Sequence, residues 1–173
     1  MNLKEVLFAE HSKEQTYRII DWVGSSPERF GELMEIFFES EWLLVQRSAW
    51  PVGLIASKQP QLFHSYFDRA VEKLHRNDNH DAVIRNILKI VQDIDIPEHL
   101  ESPLFELCIK FINQPKVPGA IKAFAISTLE NICTKYPELA GEVLIILNDR
   151  IGFETPAFVS RGKRFIKRFQ KLK

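Results

Sequence analysis

The sequence predicts an all-α repeat domain, and three observations carry this prediction. Several stretches place apolar residues at i, i+3, i+4 and i+7, the period of one face of an α-helix. Longer helical segments begin near residues 41, 79, 117 and 155, so successive starts are 38 residues apart. No convincing run alternates apolar and polar residues with the period of a strand. The clearest helical stretch is PERFGELMEIFFE, with Phe30, Leu33, Met34, Phe37 and Phe38 on one face.

Prolines divide each 38-residue unit into two helices. Pro60, Pro97 and Pro137 fall about halfway through their units. Proline has no backbone N–H and restricts the residue before it, so it separates helices. Ser26 and Thr155 each place a capping residue before a proline at the first helical position. We predict an early hairpin of 12–23 with 27–39, then 41–58 with 60–75, 79–94 with 98–113 and 117–135 with 137–150, and a last helix over 156–172 that caps the end.

Pro51 is a different case, because the register places it inside a first helix, in RSAWPVGLIASKQPQLF. Apolar residues continue at helical spacing on both sides of it. An internal proline removes one backbone hydrogen bond and kinks a helix, at a cost of about 3 kcal/mol. Packing against neighbouring repeats must offset that cost.

Residues 12–172 resemble the HEAT-like family of α-helical repeats, in particular small, stand-alone bacterial HEAT-like proteins. The resemblance rests on the 38-residue period, on Pro51 and on segments such as VPGAIKAFAISTLENICTKYPELAGEVLIIL. It implies a right-handed α-α superhelix, a HEAT/armadillo-like solenoid, of about four helical hairpins plus a C-terminal capping helix. The period is a little shorter than the ~40–47 residues usual for these repeats. The family's Asp and Arg pair at the turn within each repeat is not evident in every unit.

Length and composition fit one globular domain over residues 1–173. Apolar residues make up 45% and charged residues 27% of the chain, and no apolar run approaches the ~20 residues of a membrane-spanning helix. The N-terminus carries acids early and lacks the pattern of a signal peptide. Cys108 and Cys133 lie in apolar helical stretches, with neither a CxxC pair nor a disulfide framework. We therefore predict a cytoplasmic protein without a membrane partner.

A basic residue recurs near the start of each predicted first helix. Because stacked hairpins repeat at about 9–10 Å, equivalent positions would form a ladder of cations along one face. Such a ladder would hold an anionic partner, either nucleic-acid phosphates or an acidic protein segment. The alternative is that each cation pairs with a carboxylate on an adjacent helix, such as Glu14, Asp21, Glu41 or Asp81, since exposed ion pairs are common. The ladder consists of Arg18, Arg47, Arg85, Lys122 and Arg161.

The C-terminal segment is a second basic element. Residues 161–173 hold seven of the 23 Lys and Arg and none of the 23 Asp and Glu, so residues 1–160 carry a net charge of −7. A helix with cations on one face and apolar residues on the other would either bind an anionic surface or cap the repeat, and capping is the commoner role. The apolar face holds Phe158, Phe165, Phe169 and Leu172, and the candidate basic end comprises Arg164, Arg168 and Lys171.

The sequence carries no motif for catalysis, a cofactor or a metal. It has no G-x-S-x-G, no H-E-x-x-H, no P-loop and no dinucleotide fingerprint. His75, Asp78, His80 and Asp81 lie close together, but their spacing matches no zinc motif and indicates a solvated turn. We therefore predict no catalytic, cofactor-binding or metal-binding residues, and no cofactor.

These observations favour a non-catalytic module for protein–protein interaction or scaffolding, with an unknown protein as partner. Stacked hairpins offer an extended surface to such partners. We expect an exposed apolar patch on the second helices, around Phe38, Phe63, Tyr66 or Phe67.

The alternative is a DNA- or RNA-binding protein that uses the ladder and the basic end. HEAT-like alkylpurine DNA glycosylases hold DNA on a basic concave face of this architecture. The catalytic residues of those enzymes match no positions here, so none is carried over. The neutral pI of about 7.0 and the net charge of −7 on residues 1–160 weigh against nucleic acid.

Overall fold

The computed structural model describes residues 1–39, 41–76, 79 and 81–170. Over these ranges the chain forms α-helices joined by short loops, with one 3₁₀ turn and no β-strand. The predicted all-α fold class is therefore confirmed. The chain divides into two compact units, residues 1–95 and residues 96–173.

The helices of the two units are numbered in chain order. Unit 1 contains α1 (Leu3–Ala9), α2 (Lys13–Val23), α3 (Pro27–Glu39), α4 (Trp42–Lys58), α5 (Pro60–His64), α6 (Phe67–His75) and α7 (Asp81–Val91). Unit 2 contains α8 (Glu98–Asn113), α9 (Gly119–Lys135), the 3₁₀ turn Pro137–Leu139, α10 (Ala140–Arg150) and α11 (Pro156–Phe169).

The predicted helices agree with the observed ones to within a few residues at their ends. Helices α3 and α8 coincide with their predicted ranges. The third predicted hairpin, 79–94 with 98–113, falls across the boundary between the two units. Ser26 caps α3 as predicted, since its hydroxyl accepts a hydrogen bond from the Arg29 N–H at 3.2 Å. Thr155 occupies the capping position of α11, but its side chain makes no capping hydrogen bond.

The sequence analysis missed α1, a helix too short to show a periodic pattern. The helix contacts α3 and α4, and its buried residues are Leu3 and Leu7. The side chain of Asn2 caps its first turn by accepting from the Glu5 N–H. Packing rather than propensity therefore holds this helix, as is usual for helices of one or two turns.

The helix predicted over 60–75 is broken at Ser65 and Tyr66, which separate α5 from α6. The break turns the Tyr66 ring onto α3, where it meets the Phe30 ring edge-on with the ring centres 5.7 Å apart. The Tyr66 hydroxyl lies so close to Gly31 that a Cβ there would be 2.9 Å from the oxygen. A Cβ at this position would force the Tyr66 hydroxyl to move, which gives a reason for a glycine inside α3 despite its low helix propensity.

Helix α4 lies at the centre of unit 1, packed against α1, α2, α3 and α7. It runs without interruption through Pro51, which confirms the predicted position of this proline inside a first helix. Val52, Ile55 and Ala56, in the turn that follows Pro51, are fully buried. Burial of a Val or Ile side chain contributes about 1.5–3 kcal/mol, so the contacts of this turn offset the hydrogen bond that Pro51 removes.

Helix α9 has the same central position in unit 2, packed against α8 and α11. Its residues Ile126, Leu129 and Cys133 are fully buried. The apolar face predicted for the last helix is also buried, at Phe158, Phe165 and Phe169, so α11 caps the α9 side of this unit. Leu172 lies outside the described residues.

Both cysteines are buried free thiols, as expected from their apolar surroundings. Burial raises the pKa of the Cys133 thiol to about 12 and moves the pKa of the Cys108 thiol in the same direction. Because the thiolate is the reactive form, neither side chain is suited to nucleophilic chemistry at neutral pH.

Substitution of Gly119 with alanine tests the close packing of the α9 and α11 N-termini. A Cβ at Gly119, the first residue of α9, would lie 2.3 Å from Thr155 Oγ1 and 2.6 Å from its Cγ2. We expect Gly119→Ala to lower the free energy of unfolding by about 1–3 kcal/mol, as overpacking generally does. Removal of both atoms by Thr155→Ala in the same chain should recover most of this loss, as measured by urea unfolding.

Gly141→Ala is the matched control, because a Cβ at this exposed helical position meets no atom within 4 Å. That variant should gain about 0.5–1 kcal/mol. Equal effects of Gly119→Ala and Gly141→Ala would contradict the observed approach of Thr155 to α9.

Candidate functional site

Two members of the predicted ladder bond to the backbone of a neighbouring helix. Arg47 on α4 donates from Nη1 to the carbonyl oxygens of Leu7 and Phe8, each at 2.8 Å. These carbonyls belong to the last turn of α1, where a cation also meets the negative end of the helix dipole. Arg161 on α11 donates to the Ala123 carbonyl at 3.0 Å and to Ser127 Oγ at 2.8 Å. Both arginines therefore join their helix to an earlier one.

Lys122, on α9, corrects the ladder prediction, because its side chain does not reach solvent. The residue is 2% exposed and donates from Nζ to Glu154 Oε1 at 2.6 Å. Arg150 donates to the same oxygen from Nε at 3.0 Å. A buried ammonium is stable only beside such a carboxylate, so Lys122 belongs to the interior of unit 2 and offers no charge to a partner.

Arg18 and Arg85 remain available, both within unit 1. Arg18 is exposed on α2 and Arg85 is half-buried on α7. Among the described residues, neither makes an ion pair or a side-chain hydrogen bond with another residue. The charge of each is therefore open to an external partner.

Two residues of the candidate basic end form ion pairs with one buried carboxylate, that of Glu130. Arg164 donates from Nε to Glu130 Oε2 at 2.8 Å, and Arg168 donates to Glu130 Oε1 at 3.4 Å. The Glu130 side chain is 7% exposed, whereas the side chains of Arg164 and Arg168 stay about half exposed. Two of the three predicted residues thus balance the charge of Glu130 on α9. The third, Lys171, lies outside the described residues.

Glu101, Glu130 and Glu154 were not identified from the sequence, although each is a nearly buried carboxylate of unit 2. Glu101 accepts from Lys135 at 2.5 Å and from the Tyr136 hydroxyl at 2.8 Å. Burial alone raises the pKa of Glu101, but these two hydrogen bonds outweigh it and hold the pKa below the usual 4.5. The only available signal was that Glu101 and Glu130 each fall at a core position of an otherwise apolar stretch.

Within the described residues of unit 1, comparable ion pairs join α6 to α3. Arg69 forms a two-pronged ion pair with Glu35 and also reaches Glu39 at 3.1 Å. The hydrogen bonds from the Arg69 guanidinium hold the pKa of both carboxyls below 4.5. The carboxylates proposed as partners from the sequence, namely Glu14, Asp21, Glu41 and Asp81, make no ion pair with another described residue.

The prediction of an exposed apolar patch around these residues of the second helices is wrong. Phe38, Phe63 and Phe67 are buried, and Tyr66 is half-buried against α3. These side chains form the inner faces of α3, α5 and α6, where the helical period that suggested a patch serves the core instead. Within the described ranges, the large apolar residues that do face solvent are Met1, Phe8, Tyr17, Trp42, Trp50, Ile145 and Phe153.

One cleft of unit 1 combines aromatic, polar and charged side chains. It lies between α4 and α7 and has a volume of about 400 Å³, within the size range of small-ligand sites. Trp50, which is 38% exposed, lines it from α4. The His11 ring lies beside the Trp50 ring, with the ring centres 6.0 Å apart. Gly53 on α4 keeps the floor open, since its hydrogen takes the place of a side chain that would project towards Ile90.

Asn86 contributes a buried amide to this cleft from α7. The residue is 7% exposed, and within the described chain its Nδ2 is a buried side-chain nitrogen with no hydrogen-bond acceptor. A buried donor without a partner costs about 1–3 kcal/mol. The fold accepts this cost at a position where a ligand could supply the acceptor.

The charges around the cleft leave a small positive excess. Arg85 and Lys89 line it from α7, and Asp93 lies one turn beyond Lys89. No ion pair among these three side chains, or from them to another described residue, is present. Two cations against one carboxylate leave a formal charge of +1, with His11 neutral.

A metal site is absent from the part of the chain that the structure describes, where no cluster of three or more His, Cys, Asp or Glu converges. His75, from the sequence cluster considered for zinc, has its Nδ1 2.9 Å from the Val71 carbonyl oxygen. Asp78 and His80 of that cluster lie outside the described residues. In the same ranges, no helix has the length and apolarity required to cross a membrane.

The architecture and its inter-helix bonds define a helical repeat protein. The family model described as HEAT repeat domain matches residues 3–167, nearly the whole chain. The protein therefore belongs to the HEAT repeat family, as the sequence resemblance implied. No curated protein and no solved structure gives a significant match to the chain.

Acid titration tests the buried carboxylate Glu101. Its folded-state pKa lies below its unfolded value, so the stability it contributes is present above about pH 4.5 and is lost as pH falls through the folded pKa. Glu101→Gln should lower the free energy of unfolding at pH 7 and flatten its decline between about pH 5 and pH 3. Urea unfolding over that range measures both effects.

Glu106→Gln is the control for this experiment, because Glu106 is an exposed carboxylate on the same helix. It should leave the pH dependence close to that of the wild type. An unchanged decline in Glu101→Gln would mean that the ion pair with Lys135 does not form in solution.

Asn86→Leu tests whether the amide in the cleft is unpaired. Loss of a buried donor that lacks a partner should raise the free energy of unfolding by about 1 kcal/mol. Gln15→Leu is the contrasting change, because Gln15 is equally buried but its amide donates to the Val6 carbonyl. That variant should lose about 1 kcal/mol or more. A similar loss in both variants would show that Asn86 has an acceptor within the folded chain.

Proposed function

We propose that this protein is a non-catalytic module for protein–protein interaction or scaffolding, acting in the cytoplasm. The observation that carries the proposal is the internal use of its cations. Arg47, Lys122, Arg161 and Arg164 all bond to the protein's own backbone or carboxylates. Cations committed to neighbouring helices are poorly placed to release counterions from nucleic acid, which is the main source of affinity for phosphates.

Membership of the HEAT repeat family supports the same proposal, because stacked helical hairpins provide extended surfaces for protein partners. Unit 1 adds exposed aromatic residues, including Trp42 and Trp50 on α4. Tryptophan is among the residues most enriched in the central contacts of protein interfaces. Unit 1 has 11 basic and 15 acidic residues, a net charge of −4, which disfavours a long polyanion over its surface.

Binding of DNA or RNA is the second candidate, favoured by one feature of unit 2. Lys163 and Lys167 are exposed on α11, beside the half-exposed Arg164 and Arg168. Unit 2 has 12 basic and 8 acidic residues, a net charge of +4. Non-specific binding of nucleic acid rests on contacts between cations and phosphates, which this helix alone could supply.

Affinity capture separates the two candidates. Tagged protein would be incubated with lysate of its own cells, with and without nuclease, at physiological salt. We expect at least one protein to be retained after nuclease treatment and, once purified, to bind this chain saturably with a fixed stoichiometry in isothermal titration calorimetry.

Capture that depends entirely on nucleic acid would contradict the proposal and favour the second candidate. In that case an oligonucleotide should bind the purified chain with a dissociation constant of about 10⁻⁴–10⁻⁶ M, the affinity should fall steeply with added salt, and the Lys163→Glu/Lys167→Glu double variant should weaken it.

A further inference from the structure

We propose that the cleft between α4 and α7 binds an acidic side chain of a peptide segment, with its carboxylate at Arg85 and Lys89. The inference rests on the proposed interaction function and names one binding site for it. The partner's recognised group would be Asp or Glu, flanked by an apolar side chain. The cleft lies wholly within unit 1, so the site needs only the packing of α4 and α7 in that unit.

The spacing of the cleft residues on α7 places three donors on one face. Arg85, Asn86 and Lys89 occupy positions i, i+1 and i+4, all of which line the cleft. Residues four apart on a helix have Cβ atoms about 5–6 Å apart. A carboxylate can therefore accept from the Arg85 guanidinium and the Lys89 ammonium together, which gives charge-assisted hydrogen bonds.

Asn86 supplies an independent reason to place a ligand here. Its amide is more than nine-tenths buried, lines the cleft and has a donor without an acceptor within the described chain. A peptide segment carries both carboxylate and backbone carbonyl oxygens, either of which is an acceptor for an amide N–H. Binding would thus form a hydrogen bond that folding leaves unmade.

Trp50 provides the contact for the neighbouring apolar side chain. Its partly exposed ring lines the opposite wall on α4, beside His11. The indole offers a large apolar surface with little conformational entropy to lose, as is typical of residues that dominate interfaces. A cleft with cations on one wall and an indole on the other fits an acidic residue next to an apolar one.

The charge balance favours one carboxylate over a chain of phosphates. The formal excess of +1 in the cleft is neutralised by a single acid. The rest of unit 1 is net negative and would repel each further anionic group of a nucleic acid. A peptide with one acid gains the local attraction without that repulsion.

Titration followed by NMR tests this site directly. The full chain, labelled with ¹⁵N, would be titrated with the blocked peptide acetyl-Ala-Glu-Phe-Ala-amide and with its Gln counterpart. We expect the Trp50 indole signal, assigned with Trp50→Phe, to shift saturably with the Glu peptide. The Gln peptide should bind about five- to tenfold more weakly, because hydrogen bonds to a charged group contribute roughly 1 kcal/mol more than neutral ones.

Charge reversal at Lys89 and at Lys58 distinguishes binding in the cleft from attraction by the overall charge of the protein. Lys89→Glu should abolish the shift caused by the Glu peptide, whereas Lys58→Glu, at an exposed position of α4 outside the cleft lining, should preserve it. Asn86→Leu should weaken binding without lowering the melting temperature. The amide ¹⁵N–¹H spectrum of each variant reports whether it remains folded.

The inference would be overturned by equal affinity for the Glu and Gln peptides, by no binding of the Glu peptide, or by equal effects of Lys89→Glu and Lys58→Glu. A stronger shift with the Gln peptide bearing a free C-terminal carboxylate would also overturn it, because the recognised group would then be the end of a peptide chain and not an acidic side chain. A stronger shift with a single-stranded oligonucleotide would also overturn it. Unaltered capture of a protein partner by Lys89→Glu would leave the proposed function standing while rejecting this site.

Discussion

Each unit is organised by the stacking of one central helix on helices of the preceding or following repeat, and the rest of the structure depends on this stacking. Helix α4 packs on α7 in unit 1, and α9 packs on α11 in unit 2. Arg161 lies 38 residues after the carbonyl to which it donates, one repeat period. Stacked helices bring equivalent positions to about 9–10 Å, a distance that a long basic side chain spans. Arg47 and Arg161 make this contact, each with the backbone of a helix earlier in the chain.

The same stacking explains why unit 2 buries carboxylates. Glu130 and Glu154 lie where two helices meet, and each receives two cations. A buried ion pair adds little net stability over an apolar pair, because desolvation offsets the attraction. Separation of the pair costs much more, since one charge is then left buried and alone. A stack shifted by one turn would leave such charges unpaired, so these contacts favour the observed register.

Much of the fold could be predicted from the sequence because its signals are local. The apolar period of α3, the prolines between helices and the 38-residue repeat all report on neighbours along the chain. Helix α1 was missed since tertiary packing of Leu3 and Leu7 holds it, and the break at Tyr66 was missed since it depends on contact with α3.

The same limit applied to the predicted ladder of cations. Its spacing was visible, but the partners of Arg47 and Lys122 lie 32–40 residues away in sequence. The cleft was missed as well, because Trp50 and Asn86 come to line one space only when α4 and α7 pack together.

The central claim is that three of the recurring cations, Arg47, Lys122 and Arg161, hold the elements of a HEAT repeat protein together and leave ligand recognition to other residues. The most direct measurement is a double-mutant cycle on Lys122 and Glu154, followed by urea unfolding. Glu154→Leu alone should cost about 3–5 kcal/mol, because it strands a buried ammonium. The addition of Lys122→Met should recover a large part of that loss. Independent, additive effects of the two substitutions would contradict the claim and return Lys122 to the surface as a residue free to bind an anionic partner.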